Sequence, residues 1–488
     1  MEEPAHPDPV GDATREEQPP APESDGRGPI LIDSHAHLDA VQFDRDRAAV
    51  LERAQRAGVA YVLAVSSDYN SGRKVVDLAR RHAEVYGAIG IHPHSVRSFG
   101  RKTLPALARL AEEPKVVAVG EVGLDFYRSQ TSRKAQLRAF QEQVGLAKEL
   151  KRPLVIHCRE AEEEILHILR EERAWQVGGI VHCFTGSYEF GKAVLGLDFL
   201  LGVGGVLTFE KSDTLRDAVE RLPIEDMVVE TDSPYLAPAP HRGRRNEPAY
   251  VRHTAERLAE VKGLSLEDVA RVTNYNVRRA LGFGPEPPGP TVSYLLGDSL
   301  YLNVTAECNN ACFFCGRLAE PVVLGYDLHL ERDPTVEEMV AAVGEPGRYA
   351  EVVFCGFGEP TLRLEEVKEV ARRLRALGAR RIRLNTNGLG NLIHGRNILP
   401  ELVGLMDALS ISLNAESKEK YLKVCKPEFG EGAYDAVKDF MREARRLFAD
   451  VTATVVDLPG SIDVAACERI AREEVGVEFV ARPYFPVS

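Results

Sequence analysis

Leu31-Ile32-Asp33-Ser34-His35-Ala36-His37-Leu38-Asp39 decides how the chain is read. An apolar run beginning at Ile30 ends in two histidines spaced two apart. On a strand, successive side chains alternate between faces, so His35 and His37 reach the same side. Two neutral imidazoles converging from one strand end make half of a metal site. A His-x-His pair is equally at home as surface or core histidine, so its meaning rests on what the remaining chain brings to it.

Working outward, further short apolar runs follow at Val59–Ser66, Val85–Ile91, Lys115–Gly120, Pro153–His157, Gly179–His182, Asp198–Val203 and Met227–Glu230. Each has the length of a buried parallel strand, and intervening segments such as Arg133–Leu150 and Ala161–Arg173 read as amphipathic helices. Eight strands in about 250 residues is the arithmetic of a closed (β/α)8 TIM-type barrel, with an open doubly wound sheet as the alternative. Polar residues fall where the runs end: His35 and His37, His92 and His94, Glu121, His157, His182 and Asp232. A single one of these reads as a satisfied core histidine or a helix-capping carboxylate. Six potential ligands (His35, His37, Glu121, His157, His182 and Asp232) at one barrel mouth do not.

Four imidazoles and two carboxylates suffice for two divalent ions with open positions, and Zn, Mg and Mn all accept such N/O ligands. Two divalent ions, less two carboxylates and one hydroxide, leave one positive charge, which matches a phosphodiester anion. An activated hydroxide between two ions is the nucleophile of two-metal phosphoesterases.

The full chain has 488 residues, room for two or three cored domains, with a net charge of −13. That acidity argues against broad non-specific binding to nucleic acid, but not against phosphate substrates neutralised locally by metal. No apolar run has the roughly 18–20 residues of a membrane helix. Residues 1–28 are acidic and Pro-rich, which predicts a disordered tail rather than a secretory signal. The eight cysteines do not form a disulfide scaffold, which points to a reducing cytoplasm.

Residues 30–283 resemble the TatD metal-dependent deoxyribonucleases, a branch of the amidohydrolase-like barrels. The likeness runs through Ile32-Asp33-Ser34-His35-Ala36-His37, Gly90-Ile91-His92-Pro93-His94 and Gly120-Glu121-Val122-Gly123-Leu124-Asp125. It continues through Ile156-His157, His182-Cys183-Phe184-Thr185-Gly186 and Glu230-Thr231-Asp232-Ser233-Pro234. The resemblance implies that Glu121 bridges two metals, with His35, His37 and Asp232 completing one site and His157 and His182 the other. His92 would lie near the scissile phosphate, and Glu121, Asp232 and His92 form the expected catalytic set. Arg242-Gly243-Arg244-Arg245-Asn246-Glu247-Pro248 is similar to the family's loop after the last strand, so Arg242 and Arg245 are candidates for phosphate contact, although an arginine run is also a common solvated loop.

A helical pattern from Tyr250 to Ala280 closes this half, and the Pro/Gly stretch at 282–290 predicts a stiff linker. The expected division is a tail at 1–28, a hydrolase barrel at 29–283, a linker at 284–297 and a second domain at 298–488. After the run Tyr301–Thr305 comes Cys308-Asn309-Asn310-Ala311-Cys312-Phe313-Phe314-Cys315. Three thiolates so spaced reach three corners of a [4Fe–4S] cluster, with a zinc site or merely neighbouring thiols as the alternatives.

The Cys-x3-Cys-x2-Cys spacing of Cys308, Cys312 and Cys315, with Phe314 before the last, resembles the radical S-adenosylmethionine enzymes. There the fourth iron is chelated by S-adenosylmethionine, and an external electron donor reduces the cluster. Gly356-Phe357-Gly358-Glu359-Pro360 is similar to that superfamily's glycine-rich Glu-Pro motif, whose backbone receives the methionine amino group. The run Arg381–Thr386 ends in Asn385-Thr386-Asn387-Gly388 and Ala408–Leu413 ends in Asn414, and both look like strand ends whose polar groups are expected to hold the cofactor's carboxylate and ribose. With Glu351–Phe354, Val451–Val456 and Val477–Ala481 the strands number six, the partial (β/α)6 barrel of this superfamily. Cys355, Cys425 and Cys467 read as buried small residues, with Cys425 the one of the three with a functional alternative.

The fused pairing resembles what are called TatD-linked radical enzymes. Its expected function is phosphodiester hydrolysis, in DNA above all, coupled to a radical domain whose substrate is open. Hydrolysis of a carboxylic ester or amide, as in aminoacyl-tRNA deacylation, is the rival, because the same hydroxide attacks carbonyls.

Overall fold

In the computed structural model, residues 28–128, 131–286, 289–316, 321–458 and 460–483 are described. The acidic stretch 1–27, Pro287 and Pro288 lie outside them. Eight parallel strands pair in chain order: β1 (Leu31–Ala36), β2 (Val59–Val65), β3 (Val85–Ile89), β4 (Val116–Asp125), β5 (Leu154–Arg159), β6 (Gly179–Val181), β7 (Phe199–Val203) and β8 (Met227–Val229). The ends of β1 and β8 are joined by a bridge from Ala36 to Ser233 and by the Asp232 amide donating to the His35 carbonyl at 2.9 Å. This is the expected (β/α)8 barrel, and the open doubly wound alternative falls.

Ile32, Leu63, Ala88, Ala118, Val155, Ile180, Leu200 and Val228, one from each strand, share a buried cluster with Val277, Leu281 and Phe283. The last helix of this half and the Phe283 ring, stacked 4.2 Å from Tyr86, therefore plug the barrel interior. A second ring of buried residues, including Phe140, Ile165, Val219 and Leu258, packs the helices onto the strands. Burying so many large apolar side chains, at roughly 1.5–3 kcal/mol each, is what holds the strand ends in fixed positions.

Two boundaries differ from the sequence reading. The fourth strand does not stop at Gly120 but runs to Asp125, with a register shift against β5 between Gly120 and Val122. Such a bulge re-aims a side chain, and here the residue concerned is Glu121. The pattern from Tyr250 to Ala280 is two helices, Val251–Lys262 and Leu266–Leu281. Gly263 ends the first at φ 63°, and a capping box between Ser265 and Asp268 starts the second.

The second half holds a seven-stranded sheet. Its strands are β9 (Ser293–Leu296), β10 (Ser299–Asn303), β13 (Glu351–Cys355), β14 (Ile382–Thr386), β15 (Ala408–Ser412), β16 (Asp450–Asp457) and β17 (Glu478–Pro483). From β10 to β17 they are the six expected parallel strands. The seventh, β9, lies inside the span expected to be linker and pairs antiparallel with β10 across Gly297-Asp298. Gly297 at φ 62° supplies the turn that returns the chain on itself.

Leu300, Leu302, Val352, Phe354, Ile382, Leu384, Leu409 and Ile411 bury one face of this sheet against its helices. A two-stranded hairpin, β11 (Val322–Val323) and β12 (Tyr326–Asp327), leaves this half and rests on the barrel's last helix. There Arg271 Nε donates to the Leu324 carbonyl at 2.9 Å and its guanidinium lies 3.7 Å from the Tyr326 ring centroid. Among the described residues no helix is long and apolar enough to cross a membrane.

Candidate functional site

The C-terminal ends of β1, β4, β5, β6 and β8 bring all six expected ligands together, five of them lining one cavity of about 760 Å³ and the sixth, His35, fully buried. Three groups of ligand atoms lie within 4.8 Å of one another: His35, His37 and Asp232; His35, Glu121 and His182; His92, Glu121 and His157. Glu121 stands between them. Its Oε2 faces His35 Nε2 at 3.6 Å and His37 Nε2 at 3.4 Å, while its Oε1 faces His157 Nδ1 and His182 Nε2 at 2.8 Å and His92 Nε2 at 3.4 Å. Asp232 Oδ1 closes the first group, 3.5 Å from His37 Nε2 and 3.9 Å from His35 Nε2.

The residues fit a metal centre on two observations. Both ring nitrogens of His35 and the Oε2 of Glu121 are buried with no hydrogen-bond partner among the described residues, a costly arrangement unless a cation is their partner. His37 and His157 are hydrogen-bonded from behind, and His182 Nδ1, itself without a hydrogen bond, faces a buried carboxylate. His37 Nδ1 donates to the Val65 carbonyl at 3.0 Å, His157 Nε2 lies 3.3 Å from Asp125 Oδ2, and His182 Nδ1 lies 3.5 Å from Glu230 Oε1. A back partner fixes ring orientation and tautomer and leaves the other nitrogen for a metal.

Asp125 and Glu230 were not singled out as site residues by the sequence reading, although both stand in quoted motifs. Asp125 is locked in turn: its Oδ1 accepts from the Tyr127 and Arg128 amides, and its Oδ2 also meets His94 Nε2 at 2.8 Å. Glu230, fully buried, accepts from the Cys183 amide.

Burial opposes the charge on Glu121, but the neighbouring His92 and His182 and hydrogen bonds from His157 and His182 hold its carboxyl well below the usual range. Asp232, equally disfavoured by burial, is held down by His37 and His182. Burial lowers His92 to about 4 despite Glu121 nearby. Its Nδ1 accepts from the His94 amide at 3.1 Å, so the neutral ring carries its proton on Nε2, the nitrogen that faces Glu121 Oε1. Cys158 and Cys183 also line the cavity, but burial raises both thiols, Cys158 to about 12, so neither offers a thiolate nucleophile.

The two loop arginines sit elsewhere. Arg245 grips Asp46 with both terminal nitrogens at 2.7 Å and lies over Phe43, and Arg242 lies flat on Phe209 at 3.8 Å. The arginines that line the cavity are Arg128 and Arg159.

In the second half the three cysteines occupy an irregular loop after β10, none of them in a disulfide. The loop is pinned by the segment 424–428: the Ala311 amide donates to the Cys425 carbonyl at 3.0 Å, Phe313 to Val424 at 3.2 Å and Glu428 to Asn309 at 2.9 Å. Cys425 is fully buried beneath it, as is Cys467 in its own helix. Phe314 packs against the core.

Gly358 lies so close to the loop's approach that a Cβ there would meet the Thr305 and Glu307 carbonyls at 2.3 and 2.4 Å, and Gly356 adopts φ 113° against Asn303. Pro360 opens the following turn. The buried carboxylate of Glu359 accepts from Thr361 and Thr386 on Oε1 and from the Asn387 amide on Oε2, tying the glycine turn to the end of β14. Asn387 Nδ2 donates to Asn309 Oδ1 at 2.8 Å and lies 3.9 Å from Cys308 Sγ. Asn414, at φ 58°, is anchored by the Thr454 carbonyl. Asn385 accepts from Arg383 and donates to Cys355.

Residues 32–282 match the family model described as TatD related DNase, and residues 302–465 that of the Radical SAM superfamily. The first half is 38% identical over 250 residues to an uncharacterized metal-dependent hydrolase, YabD, of Bacillus subtilis, covering 51% of this chain and 98% of that protein. It is 34% identical over 258 residues to the 3'-5' ssDNA/RNA exonuclease TatD of Erwinia amylovora, covering 52% of this chain and all of that one. Among solved structures, the TatD homolog YJJV of Escherichia coli superposes with a TM-score of 0.50 at 28% identity, covering 52% of this chain and 98% of its own.

Proposed function

Because the chain belongs to the TatD-related DNase family and is an enzyme with a Radical SAM segment behind its metal-dependent hydrolase half, we propose that the barrel cleaves phosphodiester bonds at the ends of DNA strands. The observation that carries this reading is the division of Glu121, one oxygen toward His35 and His37 and the other toward His157 and His182. That is the arrangement of a carboxylate shared by two ions. Divalent ions held there supply an activated water and offset phosphate charge. The chain's own residues do the rest. Val65 and Asp125 keep His37 and His157 aimed, Glu230 lies behind His182, and Asp232 adds the second negative charge. His92 presents its Nε2 proton to a phosphate oxygen. The name of the Erwinia relative supports a single-stranded substrate.

For the second half we infer a [4Fe–4S] cluster on Cys308, Cys312 and Cys315, with S-adenosylmethionine on the open iron and an external reductant. The Cys-x3-Cys-x2-Cys spacing and the match to the Radical SAM superfamily favour the cluster over zinc. Gly358 keeps the main chain clear beside the loop, and Glu359 holds that turn to Asn387, whose amide group reaches Cys308.

Protein loaded with Mg or Mn is expected to release nucleotides from single-stranded DNA, to stop in EDTA, and to leave an aminoacyl ester intact. Turnover of the ester but not the DNA would favour the rival substrate class, and DNA cleavage surviving EDTA would remove the metal centre from the reaction.

A further inference from the structure

The barrel mouth carries more than ligands. On its β4–β5 side Tyr127 is 55% exposed and has two guanidinium groups near its ring, Arg159 at 5.2 Å and Arg128 at 5.7 Å from the centroid. Both arginines line the cavity, and among the described residues neither pairs with a carboxylate. This sets them apart from Arg53 and Arg245, whose charges are matched by Glu247 and Asp46. The ring's backbone is not free to drift, because the Tyr127 and Arg128 amides both donate to Asp125, itself behind His157. On the opposite, β8–β1 side, Tyr235 is 51% exposed and meets the His37 ring edge-on at 5.8 Å, beside the exposed Val41 and Leu236.

Exposed tyrosine and arginine are ordinary on a surface. An exposed aromatic ring beside two unmatched cations that line the cavity, its backbone tied to a ligand's back partner, together with a second exposed ring in the cavity wall, is the composition of a single-strand binding groove. A cavity of about 760 Å³ is of the size that takes one small ligand, hence one strand end rather than a duplex.

Resting on the phosphodiesterase reading, we propose that Tyr127, Arg128 and Arg159 form a nucleotide subsite beside the cleaved bond. A base stacks on Tyr127, the arginines hold the adjoining phosphates, and Tyr235 receives the base on the other side. Because every base has a π face, the grip is indifferent to sequence.

The test compares kcat/KM on a single-stranded thymidine oligonucleotide with that on bis(p-nitrophenyl) phosphate, a diester with no neighbouring nucleotide. The ratio of the two, taken on one preparation, is insensitive to any inactive fraction. Tyr127→Ala is expected to lower the ratio about tenfold, mainly through KM, and Tyr127→Phe to restore it, since stacking needs the ring alone. Arg159→Ala should lower it too and flatten its dependence on salt. A ratio unmoved by Tyr127→Ala, or lowered equally by Tyr127→Phe, overturns the subsite. Wild-type protein that cleaves the small diester without preferring the oligonucleotide also overturns it, whereas cleavage of neither defeats the underlying reading.

Discussion

The two halves build their sites by opposite means. In the barrel, ligands separated by up to about 200 residues are brought together by five strand ends, and each anchored ring has a named partner behind it. In the second half, the three proposed ligands come from eight consecutive residues, and the fold supplies only a bed: the carbonyls of Val424 and Cys425 beneath the loop, and the Glu359 network beside it. The first site is therefore a property of the whole barrel, the second of a local sequence laid on a sheet. Each draws its donors from one side of the 282–290 stretch.

The largest effects to expect are the two that separate the halves. Cys312→Ala should abolish cleavage of S-adenosylmethionine to 5′-deoxyadenosine in anaerobically reconstituted protein, with metal-dependent hydrolysis intact. Glu121→Ala should do the reverse and should lose more bound metal, by elemental analysis, than His157→Ala, because Glu121 faces both ligand groups. Loss of hydrolysis in folded Cys312→Ala would show that the sites are coupled and end the comparison as drawn.

Smaller effects sharpen the barrel side. Asp232→Asn keeps the shape but removes a charge that complements the ions, and a rate loss of about 10²–10³-fold is expected, as when other electrostatic elements of a site are removed. Asp125→Asn leaves every ligand in place and loosens only the partner of His157 and His94. About 10–100-fold weaker metal binding by titration is expected. Metal affinity within twofold of wild type would mean that His157 is oriented by something other than Asp125.

How legible each site was follows from the same contrast. Cys308, Cys312 and Cys315 declare themselves by spacing, since no fold is needed to bring them together. His35 or His182 alone says little, and the set emerges only from counting strands and noting what ends them. What the sequence hid is of two kinds. Local backbone irregularity moved Glu121 from after a strand into one, at a register shift that hydrophobic pattern does not register. Partner choice between distant residues is likewise invisible: nothing in Arg242-Gly243-Arg244-Arg245 reveals that Arg245 meets Asp46, some 200 residues earlier, while Arg128 and Arg159 reach the cavity. Ser293–Leu296 was hidden by the Pro/Gly stretch just before it, although Gly297 makes its hairpin turn.

The weakest effect tests whether the halves touch to any purpose. The hairpin β11–β12 follows the cysteine loop in the chain, yet it rests on the barrel. Leu324 packs against the barrel's buried cluster, and Arg271, held by Asp268 at 2.6 Å, donates to the Leu324 carbonyl and covers Tyr326. Gly325 is needed beneath it, because at φ 77° a Cβ would press on the Arg271 carbonyl at 3.1 Å. Arg271→Ala removes one charged hydrogen bond and one cation–π contact, together about 1–3 kcal/mol of docking. Amide hydrogen exchange should therefore quicken at 322–327 while the strands of both sheets keep their protection. If the hairpin is a tether and nothing more, hydrolysis and S-adenosylmethionine cleavage both stay within about twofold of wild type, since neither site draws a ligand from it. If cleavage of S-adenosylmethionine instead falls with the loosened hairpin, the barrel positions the cysteine loop through the chain that leaves it. The second site would then, like the first, be a property of more than its local sequence.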